Sequence, residues 1–379
     1  CLVGSEMCIR DSIMHALKRF GTAFGGYKMM ENYPVPECGP DDIILEIKAA
    51  AICGADMKHW GVDNGYDDTN ITPDQQQSVR GHEFAGEIVK VGENVKDWHI
   101  GQRVVSDNSA HVCGVCPACE QGDFLCCEHK VNLGLDNNTW GGGFSKYCKV
   151  PGEILAIHKH AIWEIPEGIK YEEACVLDPI CNAYKAVAQQ SHLIPGQDVV
   201  VFGTGPLGLF SVQVAKLMGA VNIVMVGLDD DVKVRFGVAK ELGATHCVNG
   251  SKEDVVARCT EICGRDNLGL VIECSGANIA LKQAIEMTRP NAEIVRVGMG
   301  FKPLEFSIND ITAWNKSIIG HMAYDSTSWR NCIRLLQSGQ IKVQPMITHR
   351  LGLSQWQEGF DKMAKKEAIK VIFHYDYED

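Results

Sequence analysis

Three residues near the start of the chain could bind a metal and do chemistry with it. His82 and Glu83, inside Gly81-His82-Glu83-Phe84-Ala85-Gly86-Glu87, put an imidazole beside a carboxylate in a run that otherwise reads as buried strand. Upstream, Cys53-Gly54-Ala55-Asp56 offers a thiol. Thiolate, imidazole and carboxylate suit zinc, and three protein ligands leave a fourth position for substrate, as catalytic rather than structural ions require. Taken alone, His82-Glu83 also reads as a hydrogen-bonded strand histidine next to an exposed acid. The second group has no such opening. Cys113, Cys116 and Cys119 are followed by Cys127 in a loop-like stretch containing Gly114 and Pro117. Four thiolates at that spacing close a tetrahedron around zinc and make a structural site. Cys126 and His129 compete with Cys127 for the last place.

The elements that must position these groups are of two kinds. From Ala16 to about Ile52, short alternating segments such as Ile43-Ile44-Leu45-Glu46-Ile47-Lys48 are broken by Pro34, Pro36 and Pro40, which predicts strands and turns. The pattern continues through Glu87–Gly92 and Gly101–Val105. Between Trp60 and Arg80 lies a polar segment that reads as a loop, either shaping a pocket or simply solvated.

At Val199-Val200-Val201-Phe202 the pattern changes to an unbroken apolar strand, followed by Gly203-Thr204-Gly205-Pro206-Leu207-Gly208 and the helical run Leu209–Leu217. G-x-G-x-x-G placed between a buried strand and a helix lets a pyrophosphate approach backbone N–H groups at the helix start. Strands at Asn222–Val226, Gly269–Glu273 and Ala292–Val297, with helices at Val232–Leu242 and Ala277–Met287, predict a doubly wound parallel sheet. Cofactor-binding candidates are Gly203, Gly205, Pro206, Leu207 and Gly208, with Ser275 and Gly298 after the later strands. The acid that should accept from the adenine ribose, about 20 residues beyond the last glycine, is replaced by Gly227, and Asp229-Asp230-Asp231 follow it. Three carboxylates would repel a 2′-phosphate, which favours NAD over NADP. The tail carries helices around Trp329–Gln337 and Ser354–Lys365 and a closing strand Ala368–Phe373 that needs a sheet to join.

With 379 residues, 45% hydrophobic and 22% charged, the chain is long enough for two globular domains. Its net charge of −12, with no Lys/Arg run, argues against a nucleic-acid partner, which would need a basic face. No apolar run of about 18 residues predicts a membrane span. Seventeen cysteines dispersed over so long a chain point to a reducing, cytoplasmic compartment rather than to a disulfide scaffold. Residues 1–12 have neither the basic region nor the apolar core of a signal peptide and resemble a translated sequencing adapter, so Met14 is the expected native start.

Together, Cys53-Gly-x-Asp, Gly81-His82-Glu83-Phe-x-Gly, the four-cysteine lobe, Leu177-Asp178-Pro179 and the glycine fingerprint resemble the zinc-dependent medium-chain alcohol dehydrogenases over residues 14–379. The likeness is greatest to the sorbitol, threitol/erythritol, inosose and threonine dehydrogenase branch, where Glu follows the histidine and an acid-Pro pair stands in the third ligand region. Asp178-Pro179-Ile180-Cys181-Asn182-Ala183 is similar to the threonine dehydrogenase form.

The resemblance implies an α/β protein: a GroES-like β-rich catalytic domain (13–179 and 323–379) and a Rossmann domain (180–322). It implies two zinc ions per chain, one held by Cys53, His82 and Glu83 with Asp178 able to swing in, the other by the cysteine lobe. Asp56 matches the acid that orients the histidine. The activity implied is hydride transfer from a secondary alcohol (polyol, cyclic polyol or 3-hydroxy amino acid) to NAD, in a homodimer or homotetramer. One departure stands out: the family's Ser or Thr is Ala55 here, so that Lys58, His59 or a water chain would have to carry the alcohol proton. Trp140 stands where the family places a pocket wall, and reads equally as core. The competing reading is a non-catalytic protein that holds zinc and a dinucleotide, with Ala55 and Gly227 as marks of decay.

Overall fold

The computed structural model describes residues 12–20, 26–57, 60, 77–136, 139–300, 302–304 and 306–378. Lys58, His59, most of the polar segment after Trp60 and residues 1–11 lie outside them. Contacts divide the chain into two units, one reaching to Asp178 and resuming at Ile347, the other spanning Pro179–Met346.

The first unit begins with β1 (Ile13–Arg19), β2 (Tyr27–Pro34) and β3 (Ile43–Ala51), then the single turn α1 (Gly54–Met57) and β4 (Glu83–Val91). β5 (Arg103–Ser106), β6 (Ser109–His111), α2 (Pro117–Glu120), β7 (Val131–Asn132) and β8 (Tyr147–Val150) follow. α3 (Gly152–Ile157), β9 (Ile162–Glu164), α4 (Tyr171–Ala174) and the start of α5 (Leu177–Tyr184) complete this part. In the second unit β10 (Asp198–Phe202), α6 (Pro206–Leu217), β11 (Ile223–Gly227), α7 (Arg235–Leu242), β12 (His246–Asn249) and α8 (Val255–Cys263) alternate. They are followed by β13 (Leu268–Glu273), α9 (Asn278–Met287), β14 (Glu293–Arg296), α10 (Asn309–Thr312), β15 (Ser317–Gly320) and α11 (Ser326–Gln337). The chain returns to the first unit with β16 (Ile347–Gly352), α12 (Trp356–Ala364) and β17 (Lys370–His374).

The main sheet of the first unit runs β16-β17-β3-β4-β5-β9, with β8 also paired to β3. β17 lies antiparallel to β3 through Ile372↔Ala51 and Phe373↔Ala50. Aromatic packing holds the closing segment there: the Phe373 ring lies 5.4 Å from Phe144, and Phe360 of α12 lies 5.2 Å from Tyr27. A fully buried phenylalanine contributes about 1.5–3 kcal/mol, so these rings fix where β17, and every side chain on it, comes to rest.

The second unit is a six-stranded parallel sheet in the order β12-β11-β10-β13-β14-β15, that of a doubly wound Rossmann fold. β10, β11 and β13 are buried at every position because helices cover both faces, which is why their sequences are unbroken apolar runs. Two edge strands, β12 and β15, lacked that signal: β12 is half-buried, and β15 is largely exposed.

The return crossing differs from the sequence reading. Residues 323–346 group with the second unit, so the crossing comes at Ile347 rather than at 323. α11 buries Trp329, Cys332 and Leu336, and its Asn331 Nδ2 donates to the Tyr184 hydroxyl at 3.0 Å. Gln213 Nε2 of α6 donates to the Lys342 carbonyl at 3.0 Å, fastening the segment that follows.

Candidate functional site

Cys53 ends the run from β3 into α1, and Glu83 opens β4, the neighbouring strand, whose register pairs it with Ala51. Adjacent strand ends therefore bring together residues 30 apart. One ligand atom each from Cys53, His82 and Glu83 lies within 4.8 Å of the others. The turn before His82 depends on Gly81, whose φ of 90° is left-handed and whose Cβ would meet the Phe144 ring at 2.6 Å. His82 Nδ1 and Glu83 Oε1 are buried with no hydrogen-bond partner. An orphaned buried carboxylate oxygen such as Glu83 Oε1 is costly unless something else satisfies it, and a divalent metal on this thiol, imidazole and carboxylate set would do so.

Two buried cations surround the group. Lys370, 1% exposed, sits against Glu83 Oε2 and donates to the Ile52 carbonyl at 3.1 Å. Burial opposes its charge, but Glu83 and Cys53 beside it hold the ammonium above its ordinary value. Burial pushes the Cys53 thiol up, with Lys370 pulling against it, so a metal must displace a proton to bind there. Asp56, wholly buried, accepts from the Cys53 N–H through Oδ2 at 3.0 Å. Its Oδ1 lies 3.8 Å from His82 Nδ1, longer than a hydrogen bond, and 3.5 Å from Arg80 Nη2. Arg80 in turn donates to the Leu135 carbonyl at 3.1 Å, and Tyr27 donates to the Asp56 carbonyl at 2.8 Å. Neither Lys370 nor Arg80 was singled out in the sequence, although a lysine within the apolar strand Ala-Ile-Lys-Val-Ile-Phe was a usable signal.

Asp178 is not in the 4.8 Å group; its Oδ2 accepts from Asn108 Nδ2 at 3.0 Å. Ala55, in α1, offers no hydroxyl, and the proposed relay residues Lys58 and His59 are outside the described residues. Trp140 is half-buried and packs against the core of the first unit.

The second group is the lobe, where the Sγ atoms of Cys113, Cys116, Cys119 and Cys127 lie within 4.8 Å of one another. Cys126 is exposed, and neither it nor His129 belongs to the group. Cys116 precedes α2 with Pro117 at its first turn, and the Cys116 N–H donates to Cys113 Sγ at 3.3 Å. Donors from Val115 and Cys116 draw the Cys113 thiol down to about 6, whereas burial raises Cys119 to about 12. The described cysteines are all free thiols, and a closed set of four fits a structural zinc.

In the second unit, Gly203 and Gly208 are required by close approach: a Cβ on Gly203 would meet Ser275 N at 2.9 Å, and one on Gly208 would lie 1.8 Å from the Gly203 carbonyl. Gly205, capping α6, has nothing within 4 Å of its Cβ position. That space, over the first N–H groups of a twelve-residue helix beginning Pro206-Leu207, fits a pyrophosphate. Glu273, missed in the sequence, closes the floor: it accepts from Ser275 N at 2.7 Å and Gly276 N at 3.0 Å and pairs with Arg296 at 3.1 Å. A Cβ on Gly298 would meet Gly276 N at 2.2 Å, so the two loops are locked together. The place of the usual ribose acid is closed too, because a Cβ on Gly227 would meet Phe236 and Thr204 at 2.7 Å. Asp229, 52% exposed, takes the outward position and accepts from Asn249 Nδ2 at 2.7 Å.

Known protein families match parts of both units. Residues 39–160 match the alcohol dehydrogenase GroES-like domain, and residues 206–338 the zinc-binding dehydrogenase domain. The chain is 77% identical over 366 residues to the zinc-type alcohol dehydrogenase-like protein YdjL of Escherichia coli K12, covering 97% of this chain and 100% of that one. It is 30% identical to the sorbitol dehydrogenase of Halalkalibacterium halodurans, covering 92% of this chain and 95% of the relative. The crystal structure of 2R,3R-butanediol dehydrogenase from Bacillus subtilis superposes with a TM-score of 0.81 at 29% identity, over 96% of this chain and 100% of that one. With matches that span both units, the chain belongs to the zinc-dependent medium-chain dehydrogenases, in the branch that includes the sorbitol and threonine enzymes.

Proposed function

We propose that this protein oxidises the secondary alcohol of a polyol, cyclic polyol or 3-hydroxy amino acid, passing the hydride to NAD. The observation that carries the proposal is the convergence of Cys53, His82 and Glu83 within 4.8 Å, with the buried Glu83 Oε1 left unsatisfied. These three residues would hold a catalytic zinc, and Cys113, Cys116, Cys119 and Cys127 a structural one. When bound, the zinc polarises an alcohol oxygen and the nicotinamide accepts the hydride.

The chain's own residues do the rest. Asp56 holds the Cys53 backbone and faces His82, so the two ligands are set by one carboxylate. Lys370 compensates Glu83, opposing the burial that pushes its carboxyl well above the usual carboxylate range. Gly203, Gly205 and Gly208 shape the loop for the dinucleotide, and Asp229 presents a negative charge where a 2′-phosphate would lie, which supports NAD over NADP. With Ala55 in place of a hydroxyl, proton release falls to Lys58, His59 or water. Free thiols support a cytoplasmic setting, and the exposed edge strand β15 supports a homo-oligomer.

The test is a panel of polyols, inositols and threonine assayed for NADH and NADPH formation, alongside zinc analysis. Two zinc ions per chain with turnover on one of these classes supports the reading. One ion and no turnover on any of them would leave a non-catalytic binding protein.

A further inference from the structure

Asp56 serves three neighbours with two oxygens. Its Oδ2 accepts from the Cys53 N–H at 3.0 Å, while Oδ1 lies 3.5 Å from Arg80 Nη2 and 3.8 Å from His82 Nδ1. Asp56 Oδ1, His82 Nδ1 and Arg80 Nε are all buried without a hydrogen-bond partner. Buried polar atoms are nearly always paired, so three exceptions around one carboxylate call for a reason. One oxygen is fixed to the backbone of Cys53 and the other stands between an imidazole and a guanidinium. Whatever acts on this carboxylate therefore reaches both Cys53 and His82.

Arg80 is the group placed to act on it. Its backbone is tied on both sides, the N–H donating to the Leu17 carbonyl at 3.1 Å and the carbonyl accepting from the Phe144 N–H at 2.9 Å. Its side chain is 4% exposed, and Nη1 donates to the Leu135 carbonyl at 3.1 Å and to Ser78 Oγ at 3.4 Å. The turn that carries Leu135 is pressed against the metal-ligand strand, because a Cβ on Gly134 would lie 2.0 Å from the Gly81 carbonyl. On the other side, the Tyr27 hydroxyl donates to the Asp56 carbonyl at 2.8 Å and fastens α1. A buried ion pair is weak evidence for stability, since apolar residues of like volume serve a core as well or better. Its place, one residue from Gly81 and in contact with the carboxylate that faces His82, gives it a different use.

We propose that Arg80 is a positioning residue for the metal centre. Anchored on the Leu135 turn, its guanidinium balances and holds the Asp56 carboxylate, and Asp56 in turn sets the Cys53 backbone and the His82 ring at the spacing a metal needs. Without Arg80 the carboxylate loses its counter-charge and its fixed place, and the metal is released faster. This inference rests on Cys53, His82 and Glu83 holding the catalytic metal.

The test uses the full chain with cobalt(II) in place of zinc. The visible bands abolished by Cys53→Ser, taken as a difference spectrum so that the cysteine lobe cancels, mark the centre. Arg80→Met should shift these bands and speed metal loss to a chelator about tenfold, the scale for a group that supports a ligand. Arg80→Lys keeps the charge without the fork and should fall between Arg80→Met and the wild type. In an Asp56→Asn background both substitutions should add nothing, and the double variant with Arg80→Met removes both buried charges together. Should Arg80→Met fail to fold, the same comparison is read from Arg80→Lys with and without Asp56→Asn. Wild-type bands and rates in the Arg80 variants, with only a lower melting temperature, would make Arg80 a structural tie to Leu135 and overturn the proposal. So would effects of equal size in the Asp56→Asn background. If Cys53→Ser abolishes no bands, the metal assignment fails and takes this inference with it.

Discussion

The ammonium of Lys370 rests on the carboxylate of Glu83, a residue 287 positions earlier, with both side chains buried inside the candidate catalytic centre. Glu83 therefore has two suitors, the lysine through Oε2 and any metal through the otherwise unsatisfied Oε1.

This arrangement makes Lys370→Met a discriminating variant. Removing one partner of a buried pair leaves an uncompensated charge, at a cost of about 3–5 kcal/mol. A bound zinc would itself compensate Glu83, so the loss should be large in metal-free protein and smaller in loaded protein. Melting curves with and without chelator measure this. An equal drop in melting temperature in both states would mean that Lys370 serves packing and not the charge of Glu83.

For the lobe, the expected outcome of Cys116→Ser is loss of one zinc per chain and a lower melting temperature, with the other ion retained. Cys116 contributes both a thiol to the group and an N–H to Cys113 Sγ at 3.3 Å, so the substitution disturbs the closed set directly. Elemental analysis decides the matter. Loss of both ions, or of neither, would show that the two centres are not separable in this way.

How much of this was legible in the sequence depended on distance along the chain. The four cysteines lie within fifteen positions, and G-x-G-x-x-G sits next to its strand, so both could be found without knowing the fold. β10 and β13 were visible because burial on both faces removes the polar positions that blur shorter strands. β12 and β15 escaped because an edge strand need not be apolar. Lys370 and Arg80 escaped for another reason: each matters through a partner that only the sheet pairing or a distant turn brings near. The return of the chain to the first unit was placed too early because α11 reads as an amphipathic helix that either unit could have buried.

Cofactor choice should respond to Asp229. Its carboxylate lies 3.3 Å from Lys252 and accepts from Asn249, so it offers a negative surface while restraining a cation. Asp229→Asn frees Lys252 to meet a 2′-phosphate. The ratio of kcat/KM for NAD to that for NADP should narrow about tenfold, mostly through KM. A wild-type enzyme that prefers NADP would refute the charge argument, and an unchanged ratio would place the ribose elsewhere.

The last prediction concerns acid stability and His321, which follows β15. Its Nδ1 faces Gln190 Oε1 at 2.6 Å and its Nε2 faces Asn182 Oδ1 at 3.3 Å. Burial, with the Lys185 charge adding to it, pushes this imidazole down to about 4. In the unfolded chain the group titrates near its usual value of about 6.5, so between these values the unfolded state binds the extra proton. The contribution is complete above about pH 6.5, is lost as the pH falls through that window, and does not change further below about 4. A gap of this size is worth on the order of 3 kcal/mol, since each unit counts for about 1.4. His321→Gln keeps a polar side chain and removes the titration. Its melting temperature should therefore fall less than that of the wild type between pH 7 and pH 4.5, even if it starts lower. Parallel falls in the two proteins would show that the imidazole is already charged in the folded state or that other groups govern the acid transition.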